Sequence, residues 1–284
     1  SDLSKLVPLA LFIAIGIFFI NGANFTPVFP QDIYLDGSFA QAAVLLFFAY
    51  TGFEVIAIAA EDMKNPKKNL PRAIIMCMLL VSVLYMAILA VSIGVLGTDL
   101  ANTKAPVQDA FNVIVGPIGM YIVLIGTLIS MGGINFAEAY YAPRVATSMA
   151  EDGMLPSALA KRNRYNAPYV AAIVTAIASV LLAWSGSFTT LAAISAVSRF
   201  TQYLPTCLAV IIFRRKWADK ARSYTIPGGY LIPVIAIGTS LWMLAQAQTN
   251  QLLWGLGGCI VILPFYYSYW KKKKAGLIKD HDEM

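Results

Sequence analysis

The sequence predicts an all-α, polytopic membrane protein with about eight membrane-crossing helices, and three observations carry that expectation. Of its 284 residues 58% are hydrophobic and 13% charged, with a mean hydropathy of +0.68. A water-soluble domain carries about 25% charged residues, so too few polar side chains exist here to cover a water-facing surface. The apolar residues fall into runs of about 20, the length that crosses a hydrocarbon core of about 30 Å at 1.5 Å per residue. The charges sum to +6, but they collect in short loops between apolar runs. That pattern orients spans in a bilayer; it does not describe a nucleic-acid surface.

Eight apolar segments run over 6–20, 39–60, 72–97, 117–142, 168–184, 189–213, 230–246 and 251–270. The first is short for a span, and Asp2 and Lys5 stand where the basic region of a signal peptide would need more chain. A helix that begins before residue 1, in a longer protein, accounts for it better. The second holds Glu54 at mid-length. The third follows Asn65-Pro66-Lys67-Lys68-Asn69-Leu70-Pro71-Arg72, a proline-defined turn leading into a helix start. Residues 106–115 read as a short helix lying on the surface, ahead of the fourth segment. The fifth and sixth are separated only by Ser185, Gly186 and Ser187, a tight turn. Trp242, Trp254 and Trp270 fall near segment ends, as interfacial anchors do.

The loops sort by charge. One set holds Lys64, Lys67, Lys68 and Arg72, then Arg144, Lys161, Arg162 and Arg164, then Arg214, Arg215, Lys216, Lys220 and Arg222, and finally Lys271 to Lys274. The alternate loops hold Lys104 with Asp32, Asp36 and Asp99. The positive-inside rule makes the basic loops cytoplasmic, together with both termini. The run Lys271 to Lys274 reads as a stop-transfer anchor that contacts anionic lipid.

Several function classes are excluded at this level. Cys77, Cys207 and Cys259 all lie in apolar stretches and read as small packing residues, not as a metal or disulfide set. The single histidine, His281, sits in the charged tail. A membrane-embedded enzyme would need a nucleophile–base pair or a metal set, and a channel would need a continuous polar pore; the sequence suggests neither. No cofactor and no metal are expected.

Ionisable and polar groups inside apolar spans are costly and tend to line cavities or pathways. Glu54 follows Thr51, Gly52 and Phe53 in the second segment. Two readings stay open there: an unwound helix with freed backbone groups around a wet cavity, or a continuous helix whose glycine packs closely and whose Glu54 is paired. Arg199 lies mid-segment, where a buried structural ion pair is the plainer reading and gating the sharper one. Ser130, Gly132, Gly133 and Asn135 make the middle of the fourth segment small and polar, fitting either tight packing or part of a cation site. Glu138, about two turns before Arg144, faces a vestibule in the simplest reading.

Three stretches carry a family resemblance. Phe48-Ala49-Tyr50-Thr51-Gly52-Phe53-Glu54, Ala60-Glu61-Asp62-Met63-Lys64-Asn65-Pro66 and Leu70-Pro71-Arg72-Ala73-Ile74 together resemble the sixth helix and following loop of the amino acid–polyamine–organocation (APC) superfamily of permeases. Pro143-Arg144-Val145 through Met149-Ala150-Glu151-Asp152-Gly153-Met154-Leu155-Pro156 resembles the end of that family's eighth helix and its cytoplasmic loop. Arg214-Arg215-Lys216 followed by Ile226-Pro227-Gly228-Gly229 resembles its link between helices ten and eleven. Order and spacing agree over essentially the whole chain.

The resemblance implies a partial five-plus-five inverted-repeat fold lacking its first four helices. Residues 1–20 would be the last helix of repeat one, 39–213 repeat two, 230–270 two peripheral helices and 271–284 a basic cytoplasmic tail. The implied function is secondary active transport of amino acids across the plasma membrane, proton-coupled, as part of a longer permease in a lipid bilayer. Exchange of amino acids, or a non-transporting remnant or eight-span scaffold, are the alternatives. The implied substrate site is Phe48, Ala49, Tyr50, Thr51, Gly52, Phe53 and Glu54. Carbonyls of Phe48, Ala49 and Thr51 would accept the substrate ammonium, Gly52 would permit the break, and Phe53 would line or gate the pocket. Lys5 matches a lysine that replaces a sodium ion in sodium-independent members, with Ser130 as its hydroxyl partner. As a residue alone it reads as a snorkelling lysine at the inner face; the resemblance implies burial instead, which a proton carrier needs, since a free lysine keeps its proton at neutral pH. The family's first helix would supply the amides that hold the substrate carboxylate. These 284 residues alone are therefore expected neither to bind amino acids tightly nor to transport them.

Overall fold

The computed structural model describes residues 2–27, 38–54, 56, 63–217, 224–225 and 228–274. Among them every regular element is helical: α1 Asp2–Gly16, α2 Ser38–Ala49, α3 Pro66–Leu96, α4 Pro106–Val115, α5 Pro117–Glu151, α6 Tyr169–Ser185, α7 Phe188–Lys216, α8 Leu231–Gln246 and α9 Thr249–Lys274. The motif residues Ala60, Glu61, Asp62, Ile226 and Pro227 lie outside the described residues, as do Asp32, Asp36, Lys220, Arg222, His281 and the tail 275–284.

Each apolar segment contains a helix. Among the described residues four stretches, Pro66–Asn102, Pro117–Glu151, Phe188–Lys216 and Thr249–Lys271, are long and apolar enough to cross a membrane, and four shorter apolar helices cover Leu6–Phe19, Phe39–Ala49, Tyr169–Ser185 and Leu231–Gln246. The helices do not stop where the apolar runs do. α3 starts at Pro66, because proline at the first helical position gives up an amide that would have no partner there. α5 continues past residue 142 to Glu151. An apolar run measures the slab a helix crosses, whereas the hydrogen-bond ladder continues wherever propensity allows. Segment 39–60 departs the other way, since its α-helix ends at Ala49.

The chain packs as two units, Ser1–Ile33 with Gly52–Ala137, and Tyr34–Thr51 with Glu138–Met284. The first is built around Phe12, Val91, Ala110, Phe111 and Val123, with the rings of Phe12 and Phe111 edge-to-face at 5.6 Å. The stretch 106–115 is helical as its sequence suggests, yet Ala110 and Phe111 on α4 are core residues. Glycines let the helices close on this core: Gly16 faces Val91 and Ile114, and Gly94 faces Ile20. The end of α3 is tied down by Asn21 N–H and Asn24 Nδ2, which donate to the Gly94 carbonyl at 3.0 and 2.8 Å.

In the second unit α7 is the shared partner of α2, α8 and α9. Val44 of α2 packs on Ala193 and Ala196. One turn on, Phe47 stacks on Phe200 at 4.7 Å and meets Tyr203 edge-on, so α2 and α7 run in the same direction. The Ser187 cap accepts from Thr190 N–H and starts α7 directly after α6. The end of α5 is fastened to the following turn: Thr147 Oγ1 donates to the carbonyls of Pro143 and Leu159, and Glu151 pairs with Arg162 at 2.9 Å.

Candidate functional site

The helix break lies in the middle of an apolar segment. α2 runs to Ala49, and the chain then turns through Tyr50, Thr51 and Gly52 before a short 3-10 stretch at Phe53 and Glu54. Tyr50 N–H donates to the Phe47 carbonyl at 3.1 Å and Thr51 N–H to that of Phe48 at 3.0 Å. These contacts close on the third residue, where an α-helix closes on the fourth, so the ladder is lost within one turn. Thr51 Oγ1 donates to the same Phe48 carbonyl at 2.7 Å, which therefore accepts twice.

Gly52 has φ +107°, a backbone that side-chain-bearing residues adopt only under strain. Space is not the constraint, since a Cβ there would meet nothing within 4 Å. Gly52 N–H donates to Glu54 Oε2 at 2.7 Å. A half-buried carboxylate thus takes up an amide that the break releases, a charge-assisted bond of the stronger kind. Of the two readings the residues left open, the backbone follows the unwound one. Phe53 is half-buried on the downstream side, and the ring of Phe48 meets Phe188 of α7 edge-on at 6.1 Å.

The remaining polar residues sit on α1, α5 and α7. Pro8 of α1 lies against Gly126 of α5, where an added Cβ would come within 2.5 Å of the proline ring. Phe12 shares its core with Val123. Later positions on α1 thus meet earlier positions on α5, and the two helices are antiparallel. Carried one turn further, this register sets position 5 of α1 at the level of Ser130, which is half-buried. The close α1–α5 contact at Gly126 was not singled out by the sequence; the small-polar run drew attention to Ser130–Asn135 instead. At Gly132 a Cβ would meet nothing within 4 Å, so no close packing occurs at that glycine. Asn135 and Glu138 are exposed along α5. Arg144 folds back on its own helix, its guanidinium 3.3 Å over the Tyr140 ring and donating to the Tyr140 carbonyl at 2.9 Å. Arg199 is half-buried on α7, between Ser198 and the buried Phe200. Among the described residues no group of histidine, cysteine, aspartate and glutamate could hold a metal ion; Cys77 is exposed and Cys207 half-buried, both as free thiols.

Residues 3–269 match a family model described as amino acid permease. A branched-chain amino acid permease of Bacillus subtilis is 29% identical over 275 residues, covering 94% of this chain and 57% of that protein. A methylthioribose transporter of the same organism is 29% identical, covering 95% of this chain and 58% of its own. Its serine/threonine exchanger is 28% identical over 283 residues, covering 97% and 64%. The chain thus spans a little over half the length of these relatives.

Proposed function

The chain belongs to the amino acid permease family, and from that premise we propose that it is the site-bearing part of a plasma-membrane permease that carries amino acids by secondary active transport, coupled to protons. One observation supports this reading above the rest: α2 breaks at mid-segment on a glycine at φ +107°. A break at that depth presents backbone dipoles to a charged solute without adding a charged side chain to the apolar slab, which is how broken helices serve transporters.

In the proposed site the substrate ammonium is held by the carbonyls of Phe48, Ala49 and Thr51. Because the Phe48 carbonyl already accepts from Thr51 N–H and Oγ1, the ammonium takes the place of the hydroxyl. Glu54 holds Gly52 N–H and so keeps the break from rewinding. Phe53 closes over the aliphatic part of the substrate. Lys5 exchanges the coupled proton beside Ser130. The basic loops and both termini face the cytoplasm.

Proteoliposome uptake of labelled amino acids by the natural full-length protein tests this directly. Uptake is expected to rise severalfold when the outside is made acidic. Lys5→Ala is expected to abolish that response while leaving counterflow of amino acids intact. Uptake that needs a preloaded amino acid and ignores the proton gradient in the wild type would make the protein an exchanger, the mode named for the serine/threonine relative.

A further inference from the structure

The pairing of α7 with α9 assembles a surface that transport chemistry does not use. Thr189 and Thr190 at the start of α7 share a cavity of about 190 Å³ with Gln248 and Gln251 at the start of α9. Further along, Val197 meets Gly255. Both contacts advance together, so the helices run parallel in nearly constant register. Nineteen residues beyond the second contact stand two lysines, Lys216 of α7 and Lys274 of α9. The basic ends of the pair therefore share one level, at the boundary between apolar slab and water.

Cations and amphipathic rings meet at that level. The guanidiniums of Arg214 and Arg215 lie 5.9 and 6.0 Å from the ring of Tyr230, at the start of α8. The Lys274 amine lies 5.1 Å over Trp270, and Trp217 stacks on Phe213 at 4.7 Å. Arg215, Lys216, Trp217, Tyr230, Trp270, Lys271 and Lys274 are all exposed. From Phe213 to Tyr230 the sequence carries five bases against one acid, Asp219, and no acid occurs from Trp254 to Lys274. Tryptophan and tyrosine favour the headgroup level, guanidiniums bind phosphate oxygens in pairs, and basic clusters beside a span attract anionic lipid.

We infer that the shared end of α7, α8 and α9 is a binding surface for anionic phospholipid headgroups. The lipid phosphate is held by Arg215 and the α9 lysines, with Trp217, Tyr230 and Trp270 seated at the level of the glycerol backbone. This goes beyond the anionic-lipid contact expected of Lys271 to Lys274 alone, because the surface needs three helices and the bases of α7.

The test reads lipid retention, which does not depend on the transported substrate. The natural full-length protein is reconstituted in phosphatidylcholine nanodiscs containing a fifth phosphatidylglycerol, extracted, and examined by native mass spectrometry. Retained lipid is expected to be enriched severalfold in phosphatidylglycerol, and the enrichment is expected to fall as salt is raised. Arg215→Gln combined with Lys216→Gln and Lys274→Gln should remove most of it, Arg215→Lys should keep most of it, and Lys161→Gln with Arg164→Gln, on a different basic loop, should leave it unchanged. Equal retention of the two lipids by the wild type overturns the inference. So does enrichment that survives the triple substitution. If that variant does not fold, the wild-type lipid comparison and its salt dependence decide alone.

Discussion

At the scale of single residues, Gly52 and Glu54 answer for each other. At φ +107° any residue with a Cβ carries backbone strain of about 1–3 kcal/mol. Gly52→Ala is therefore expected to lower uptake at least fivefold, although its new methyl meets nothing. Glu54 holds the freed amide. Replacing its charge-assisted bond by a neutral one in Glu54→Gln should cost about 1 kcal/mol, and Glu54→Ala, which leaves the amide without that acceptor, should cost more. Uptake in proteoliposomes should rank wild type, Gln, Ala; an alanine variant as active as the wild type would remove Glu54 from the mechanism. The sequence points to Thr51-Gly52 as the weak point of its segment but leaves Glu54 between two roles. A carboxylate reaches an amide two residues back only after the helix has already opened, so that contact cannot be read from helical spacing.

At the scale of elements, close approach is selective among the glycines of α5. Gly126 is pressed by Pro8 of α1, while Gly132 has open space. Gly126→Val should force α1 away from α5 at about 1–3 kcal/mol, the usual cost of overpacking, and lower the melting temperature in detergent by several degrees. Gly132→Ala should leave it unchanged or raise it slightly, because alanine loses less backbone freedom in a helix. Equal destabilisation by both would mean that the small-residue run 130–135 is a packing face after all. The α7–α9 pair carries a second regularity. Pro205 and Pro264 lie inside the two helices, and the register that joins Val197 to Gly255 sets these prolines at one level. Each lacks the N–H that a ladder hydrogen bond needs, so the two helices have their weakened turns side by side.

At the scale of the whole molecule, the alternation of basic and acid-bearing loops makes one assignment that a single experiment reads. With native cysteines replaced, a cysteine at Asn102 should react with an impermeant maleimide from outside intact cells, whereas one at Lys161 or Arg215 should react only after permeabilisation. Labelling of all three from outside would reject the proposed orientation. Four helices of crossing length among the described residues supply the scale for this test.

Helicity, the positions of the apolar segments, and family membership were legible in the residues themselves. The first two arise from composition and spacing along the chain, because a bilayer sorts apolar from charged stretches almost independently of their neighbours. The third rests on short motifs whose order survives in sequence. Where α2 stops, which glycine is pressed against a neighbour, and which levels of α1 and α5 or of α7 and α9 coincide were decided only in three dimensions. Those features depend on backbone angles and on contacts between residues far apart in the chain. Gly126 and Gly132 share one helix and one residue type, and only Pro8, more than a hundred positions away, makes them differ.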